Sequence, residues 1–362
     1  MAFSFASSLQ VLFWNVTSLP IWLATTLYTR TLGVFVKPTI KQSAQPNIAP
    51  LDENSPCRYR LDTDSSATLA LPDGRILGYA QYGLLTGPAV FYLHGLPGSR
   101  MEGALFDAPA ITPQARIIAV DRPGYGLSSP QPDRTILDHA KDVEYLARYL
   151  NLDSYAVVGI SGGGPYALAC AAALPADRLK AVLIICGMGP PEVGKKGMNW
   201  VNWTGFTIGY PYFPGVTRWW FSRQALGRLD LTDPERYAQF QREWSASKSS
   251  AHPKDVEALD DPDLVRWLVR NHREAYRQGF HGFSLDGGLM SVDFGFRIEE
   301  IRRDLPIHLW YGKDDTNVPP SHGEGIAARL GPMTRLRIED ETHGSLTWNC
   351  RVRALEDLLE AM

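Results

Sequence analysis

The sequence predicts an α/β protein: a mostly parallel central sheet flanked by helices, with a helical insertion ahead of its last strands. Two observations predict it. From about residue 63, short apolar runs alternate with amphipathic stretches, and that rhythm means parallel strands joined by right-handed helical crossovers. Between 187 and 302 the rhythm gives way to a stretch rich in Trp, Tyr, Phe and Arg, as in Arg218-Trp219-Trp220-Phe221. The expected division is a core in two parts, 63–186 and 303–362, with 187–302 inserted as a helical cap.

Taken in order, Ala67 to Leu71 and Arg75 to Tyr82 flank Pro72-Asp73-Gly74, a hairpin signal. Ala89 to Leu93 and Arg116 to Val120 are nearly continuous apolar runs, as strands buried on both faces require. Thr135 to Leu150 places Ile136, Ala140, Val143, Ala147 and Leu150 at helical spacing, with Thr135 and Asp138 as the N-terminal cap. Tyr155 to Ile160 reads as a strand and Gly162 to Ala173 as the helix after it. Lys180 to Cys186, Ile307 to Tyr311 and Arg335 to Ile338 complete the set of strands.

The N-terminal region is of another kind. No charged side chain precedes Arg30. As a helix, Leu9 to Tyr28 would be roughly 30 Å long, the thickness of a bilayer core. Trp14 and Trp22 suit a membrane interface, whereas Gln10, Asn15, Thr17, Ser18 and Pro20 dilute the apolar character. Three readings stand for residues 1–41: a membrane span, an interfacial helix, or a helix packed on the protein's own cap. Arg30, Lys37 and Lys41 follow the segment, so a span would leave the folded domain in the cytosol. A fully soluble cytoplasmic protein is the alternative. A secretory signal fits poorly because the basic n-region is missing. Residues 42–62, with Pro46, Pro50 and Pro56, read as a linker.

Composition removes several classes. The formal net charge is −3 across 362 residues, with no long run of Lys and Arg, so nucleic acid is not an expected partner. Cys57, Cys170, Cys186 and Cys350 lack CxxC spacing, and no metal site or cofactor is expected. Cys170 and Cys186 read as small buried hydrophobes, while a Cys57–Cys350 bridge stays open. Asn-x-Thr sequons stand at Asn15 and Asn202.

The strongest local signal is Gly159-Ile160-Ser161-Gly162-Gly163, between an expected strand and an expected helix. A nucleophile at such a turn needs small neighbours, because its backbone is strained and crowded. Three further motifs then agree in order. His94-Gly95-Leu96-Pro97-Gly98-Ser99 follows one strand, and Asp121-Arg122-Pro123-Gly124-Tyr125-Gly126-Leu127-Ser128 follows the next. Gly312-Lys313-Asp314-Asp315-Thr316-Asn317-Val318-Pro319 and Thr342-His343-Gly344 lie near the C-terminus.

With these motifs the chain resembles the α/β-hydrolase superfamily, in its serine hydrolase and esterase branch, from about residue 65 onward. The resemblance implies Ser161 as nucleophile, His343 as general base and Asp315 as the acid that orients it, in the chain order the fold uses. It also implies an oxyanion hole from the backbone N–H groups of Leu96 and Gly162. A hydroxyl needs a base to become a nucleophile at neutral pH, and the base needs a carboxylate to hold its tautomer.

Among the other histidines, His322 near the acid turn is the rival base, and His308 and His139 read as packing residues. His252, His272 and His281 fall in the cap as solvated or substrate-facing groups. Asp314 competes with Asp315. His94, Asp121 and Arg122 read as loop-fixing residues. The implied activity is acyl transfer from a small, hydrophobic ester, thioester or lactone to water. A proline-iminopeptidase-like peptidase, an acyltransferase on the same triad, and a non-catalytic binding protein are the alternatives.

Overall fold

A computed structural model of the chain describes residues 55–107 and 115–362. The apolar segment 9–28, with its expected membrane contact, and Asn15 lie outside the described residues. Among the described residues, no helix is long and apolar enough to cross a membrane.

Eight strands form one sheet: β1 (Ser66–Ala70), β2 (Ile76–Gly83), β3 (Ala89–Leu93), β4 (Arg116–Val120), β5 (Tyr155–Ile160), β6 (Leu179–Ile185), β7 (Ile307–Gly312) and β8 (Thr334–Glu339). Their order is β1-β2-β4-β3-β5-β6-β7-β8. β1 and β2 pair antiparallel, as do β2 and β4, and every other pairing is parallel. β3, β5 and β7 are buried along their whole length, as the apolar runs of β3 and β5 require, and β7 takes His308 into the interior with it. β8 closes the sheet, with Arg335 and Arg337 exposed on it, a charge pattern that discourages edge-to-edge pairing.

In the core, α1 (Ile136–Tyr149) starts on the expected capping box of Thr135 and Asp138. α2 (Gly164–Ala173) follows β5 through a single 3-10 turn, Ser161–Gly163. Six α-helices of five residues or more lie between β6 and β7: α3 (Trp200–Thr204), α4 (Pro214–Phe221), α5 (Asp233–Ser247), α6 (Pro253–Leu259), α7 (Pro262–Ala275) and α8 (His281–Leu289). A π-helical turn, Gly205–Gly209, and the short Tyr210–Tyr212 join α3 to α4. α9 (Ser321–Ala327) precedes β8, and α10 (His343–Glu360) ends the fold.

Two details differ from the sequence reading. A 3-10 helix, Arg100–Phe106, follows the His94 loop, capped by the Ser99 hydroxyl. His343, which falls in none of the helices expected from the sequence, is the first residue of α10, with Thr342 as its N-cap. Cys57 and Cys350 are both free thiols, so the bridge left open above is not made. The sequon asparagine Asn202 is buried, and its Nδ2 donates to Asn317 Oδ1 at 3.3 Å.

Parallel pairing has one functional consequence. β3, β4, β5, β6 and β7 all end on the same side of the sheet, so His94, Asp121, Ser161, Cys186 and the Asp315 turn emerge along one edge. Ligands of open α/β sheets bind at that edge.

Candidate active site

Ser161 occupies a sharp turn between β5 and α2 with φ of 52°, a conformation L residues adopt rarely. The flanking glycines explain the turn's sequence. A Cβ on Gly159 would lie 2.5 Å from the Gly163 carbonyl oxygen, and one on Gly163 would lie 2.1 Å from the Leu93 carbonyl oxygen. Only hydrogen fits at either position.

The three expected residues meet. Ser161 Oγ is 3.0 Å from His343 Nε2, and His343 Nδ1 is 2.7 Å from Asp315 Oδ2. Asp315 Oδ1 accepts the backbone N–H groups of Asn317 and Val318, each at 2.8 Å. That turn aims the other carboxylate oxygen at the imidazole. Burial opposes a charge on His343, yet the Asp315 carboxylate outweighs it and, with Cys186, holds the imidazole well above its ordinary range.

The rivals lie elsewhere. Asp314 is part-exposed, with His252 Nε2 3.9 Å away. His322 is buried and its Nδ1 accepts the Gly189 N–H at 3.0 Å; burial pushes its pKa down to about 4. His308 and His139 are buried as packing residues, and His281 is exposed. His272, read from the sequence as solvated or substrate-facing, is buried rather than solvated and lines the cavity beside Ser161.

The expected oxyanion donors are adjacent. A Cβ on Gly162 would lie 3.0 Å from the Leu96 nitrogen, and both residues line the cavity beside Ser161. His94 shapes this loop through Nδ1, 2.9 Å from the Gly95 oxygen, and its Nε2 accepts the Arg122 N–H at 3.3 Å. The Arg122 guanidinium donates to the carbonyl oxygens of His94 and Gly95 and to the Asp286 carboxylate. Asp121 accepts the backbone N–H groups of Arg100 and Leu127.

Beside Ser161 opens a cavity of about 150 Å³. An apolar cavity of that volume takes up a benzene-sized ligand. Met188, Phe206, Trp267 and Trp348 line it, and no Lys or Arg does among the described residues. Besides Ser161 and His343, its polar groups include Glu102, Asn271, His272, Thr347 and the asparagines Asn202 and Asn317. Glu102 Oε2 accepts from Tyr92 Oη at 3.1 Å and from the Gly95 N–H at 3.0 Å, and Oε1 accepts from Asn271 Nδ2 at 3.3 Å.

Burial pushes the Glu102 carboxyl up to about 7 despite these donors. The folded chain therefore keeps a proton that the unfolded chain releases near 4.5, so this group's contribution to stability falls as pH rises through that window. The loss is roughly 3 kcal/mol and is complete above about pH 7. Buried neutral histidines contribute slopes of the opposite sign to wild type and variant alike. The stability difference between wild type and Glu102→Gln should thus shift in the variant's favour between pH 4.5 and 7, as read by urea unfolding. A pH-independent difference would contradict it.

Sequence reasoning missed Glu102, Asn271, Asp286 and Cys186. Cys186, read as a packing residue, stands at the end of β6 with φ of 43°, its Sγ 3.9 Å from His343 Nε2. Its position one residue past a core strand was the available signal. Among the described residues, Cys186, Asp315 and His343 are the only cluster with metal-ligating reach, and two of them already bond to each other.

The family model for the α/β hydrolase fold matches residues 88–349. The chain belongs to that family. It is 28% identical over 271 residues to the magnesium-chelatase 30 kDa subunit of Rhodobacter capsulatus, covering 71% of this chain and 81% of that one. It is 24% identical over 251 residues to a bifunctional esterase/perhydrolase of Acinetobacter calcoaceticus, covering 68% and 81%. The enol-lactonase structure from Burkholderia xenovorans superposes with a TM-score of 0.53 at 20% identity, covering 81% of this chain and 100% of that one. That likeness speaks to the fold.

Proposed function

We propose that the protein is a serine hydrolase that cleaves a small apolar carboxylic ester, thioester or lactone through an acyl-enzyme. The observation that carries this reading is the hydrogen-bonded chain from Ser161 through His343 to Asp315. His343 takes the Ser161 proton as Oγ attacks the acyl carbon, and the carbonyl oxygen becomes an oxyanion. The N–H groups of Leu96 and Gly162 receive it, each contributing about 3 kcal/mol. Imidazolium then protonates the leaving group, and water repeats the sequence in reverse to free the acid. Asp315 stabilises the imidazolium throughout.

The cavity supports an acyl group of benzene size, apolar and uncharged. The esterase name of one relative agrees with this chemistry. The name of another, a chelatase subunit, belongs to a different activity, and the Ser161–His343–Asp315 geometry favours hydrolysis over a binding role. Hydrolysis of p-nitrophenyl esters from acetate to decanoate, with benzoate included, tests the reading. Specificity should peak at short-chain or aryl acyl groups, and Ser161→Ala should lose about 10⁴-fold or more of the activity. Undiminished turnover in that variant would place the chemistry elsewhere.

A further inference from the structure

The cap exposes an unusual concentration of aromatic surface. Between 200 and 219, the side chains of Trp200, Trp203, Tyr212, Phe213, Val216 and Trp219 are from 45% to 73% exposed. Single exposed apolar residues need no explanation, but a cluster of this kind marks an interaction surface. Trp200 and Trp203 stand one turn apart on α3, Val216 and Trp219 one turn apart on α4, and Tyr212 and Phe213 fall at the break that precedes α4. The opposite faces are anchored: Tyr210 and Phe221 are buried against Phe283 of α8.

Charge identifies the partner. From 193 to 223 the chain carries Lys195, Lys196, Arg218 and Arg223 and no Asp or Glu, in a protein of net charge −3. None of the four forms an ion pair among the described residues. Trp and Tyr with Lys and Arg is the composition of a membrane-water interface. A second copy packed by two-fold symmetry would bring these cations against themselves. Residues 9–28 of the same chain are uncharged and followed by Arg30, Lys37 and Lys41, so they would leave the cations uncompensated.

We propose that this cap face, with Trp200, Trp203, Tyr212, Phe213, Val216 and Trp219 inserted and Lys195, Lys196, Arg218 and Arg223 against headgroups, docks on an anionic phospholipid bilayer. Phe206 and Tyr210 of the same segment line the Ser161 cavity, so the segment that docks also supplies one wall of that cavity from its inner side. The inference concerns the surface alone and stands whether or not Ser161 is a working nucleophile.

The test uses the full-length chain with an environment-sensitive nitrobenzoxadiazole probe on Tyr212→Cys, in a Cys57→Ser background because the other three cysteines are buried. Tyr149→Cys on α1, 55% exposed, is the control site. Vesicles of phosphatidylcholine with phosphatidylglycerol should shift emission to the blue at 212 and not at 149. Phosphatidylcholine alone should do so weakly. Reversing Lys195, Lys196 and Arg223 to Glu should lower vesicle partitioning by about fivefold or more per charge, with the melting curve unchanged. Co-sedimentation with vesicles without a shift at 212 would assign membrane contact to the N-terminal segment and overturn the proposal. Blue emission at 212 before vesicles are added, unchanged by them, would mean that protein already covers the face, and would overturn it equally.

Discussion

Asp315→Asn should lower kcat by about 10⁴-fold, while Asp314→Asn should leave it nearly unchanged. The two residues are adjacent, but only one carboxylate faces the imidazole: Asp315 Oδ2 lies 2.7 Å from His343 Nδ1. Asn at 315 can keep the bonds from the Asn317 and Val318 N–H groups through its oxygen. Its amide nitrogen would then face Nδ1 as a donor and force the wrong tautomer. Because the Asp315 carboxylate holds the imidazole above its ordinary 6.5, and only neutral imidazole accepts the Ser161 proton, wild-type kcat/KM should rise with pH through a midpoint above 6.5. Asp315→Asn should move that midpoint down as well as lower the plateau. A variant with the wild-type midpoint would show that another group supplies the charge.

The second large effect is on stability. Asp286→Ala should destabilise the fold by about 3–5 kcal/mol, a fall in Tm of about 6–15 °C for a domain of this size. Asp286 is fully buried and receives Arg122, Arg134 and the Tyr166 hydroxyl, the last at 2.7 Å. The two guanidinium groups hold its carboxyl down at about 2, against the effect of burial. Removing it leaves both cations in a dry interior, which costs far more than losing a surface pair. It also frees Arg122, which holds the Gly95 carbonyl beside the Leu96 N–H, so activity at temperatures where the variant is still folded should fall too. Asp230→Ala at the exposed Arg228–Asp230 pair should leave Tm unchanged. Thermal unfolding of the two variants side by side decides the point.

Most of the sheet was legible because its signal is local. β3, β4 and β5 match their apolar runs residue for residue, since a strand buried on both faces must be apolar throughout. Ser161 was legible for the same reason, as Gly159 and Gly163 record close approaches that any side chain would block. Glu102, Asp286 and Cys186 were not. Their roles depend on partners far along the chain: Asn271 is 169 residues from Glu102, and Arg122 is 164 from Asp286. Nothing in the pattern around Asp286 in α8 distinguishes it from a surface carboxylate. The start of α10 at His343 was missed because the Thr342–Ser345 capping box was not recognised.

Whether Ser161 is a working nucleophile is decided by fluorophosphonate labelling read by intact mass. A single adduct should form on the folded wild type and none on Ser161→Ala, as the assignment of Ser161 as nucleophile requires. An unlabelled wild type, in buffer and with anionic vesicles present, or an adduct that survives in Ser161→Ala, would contradict it.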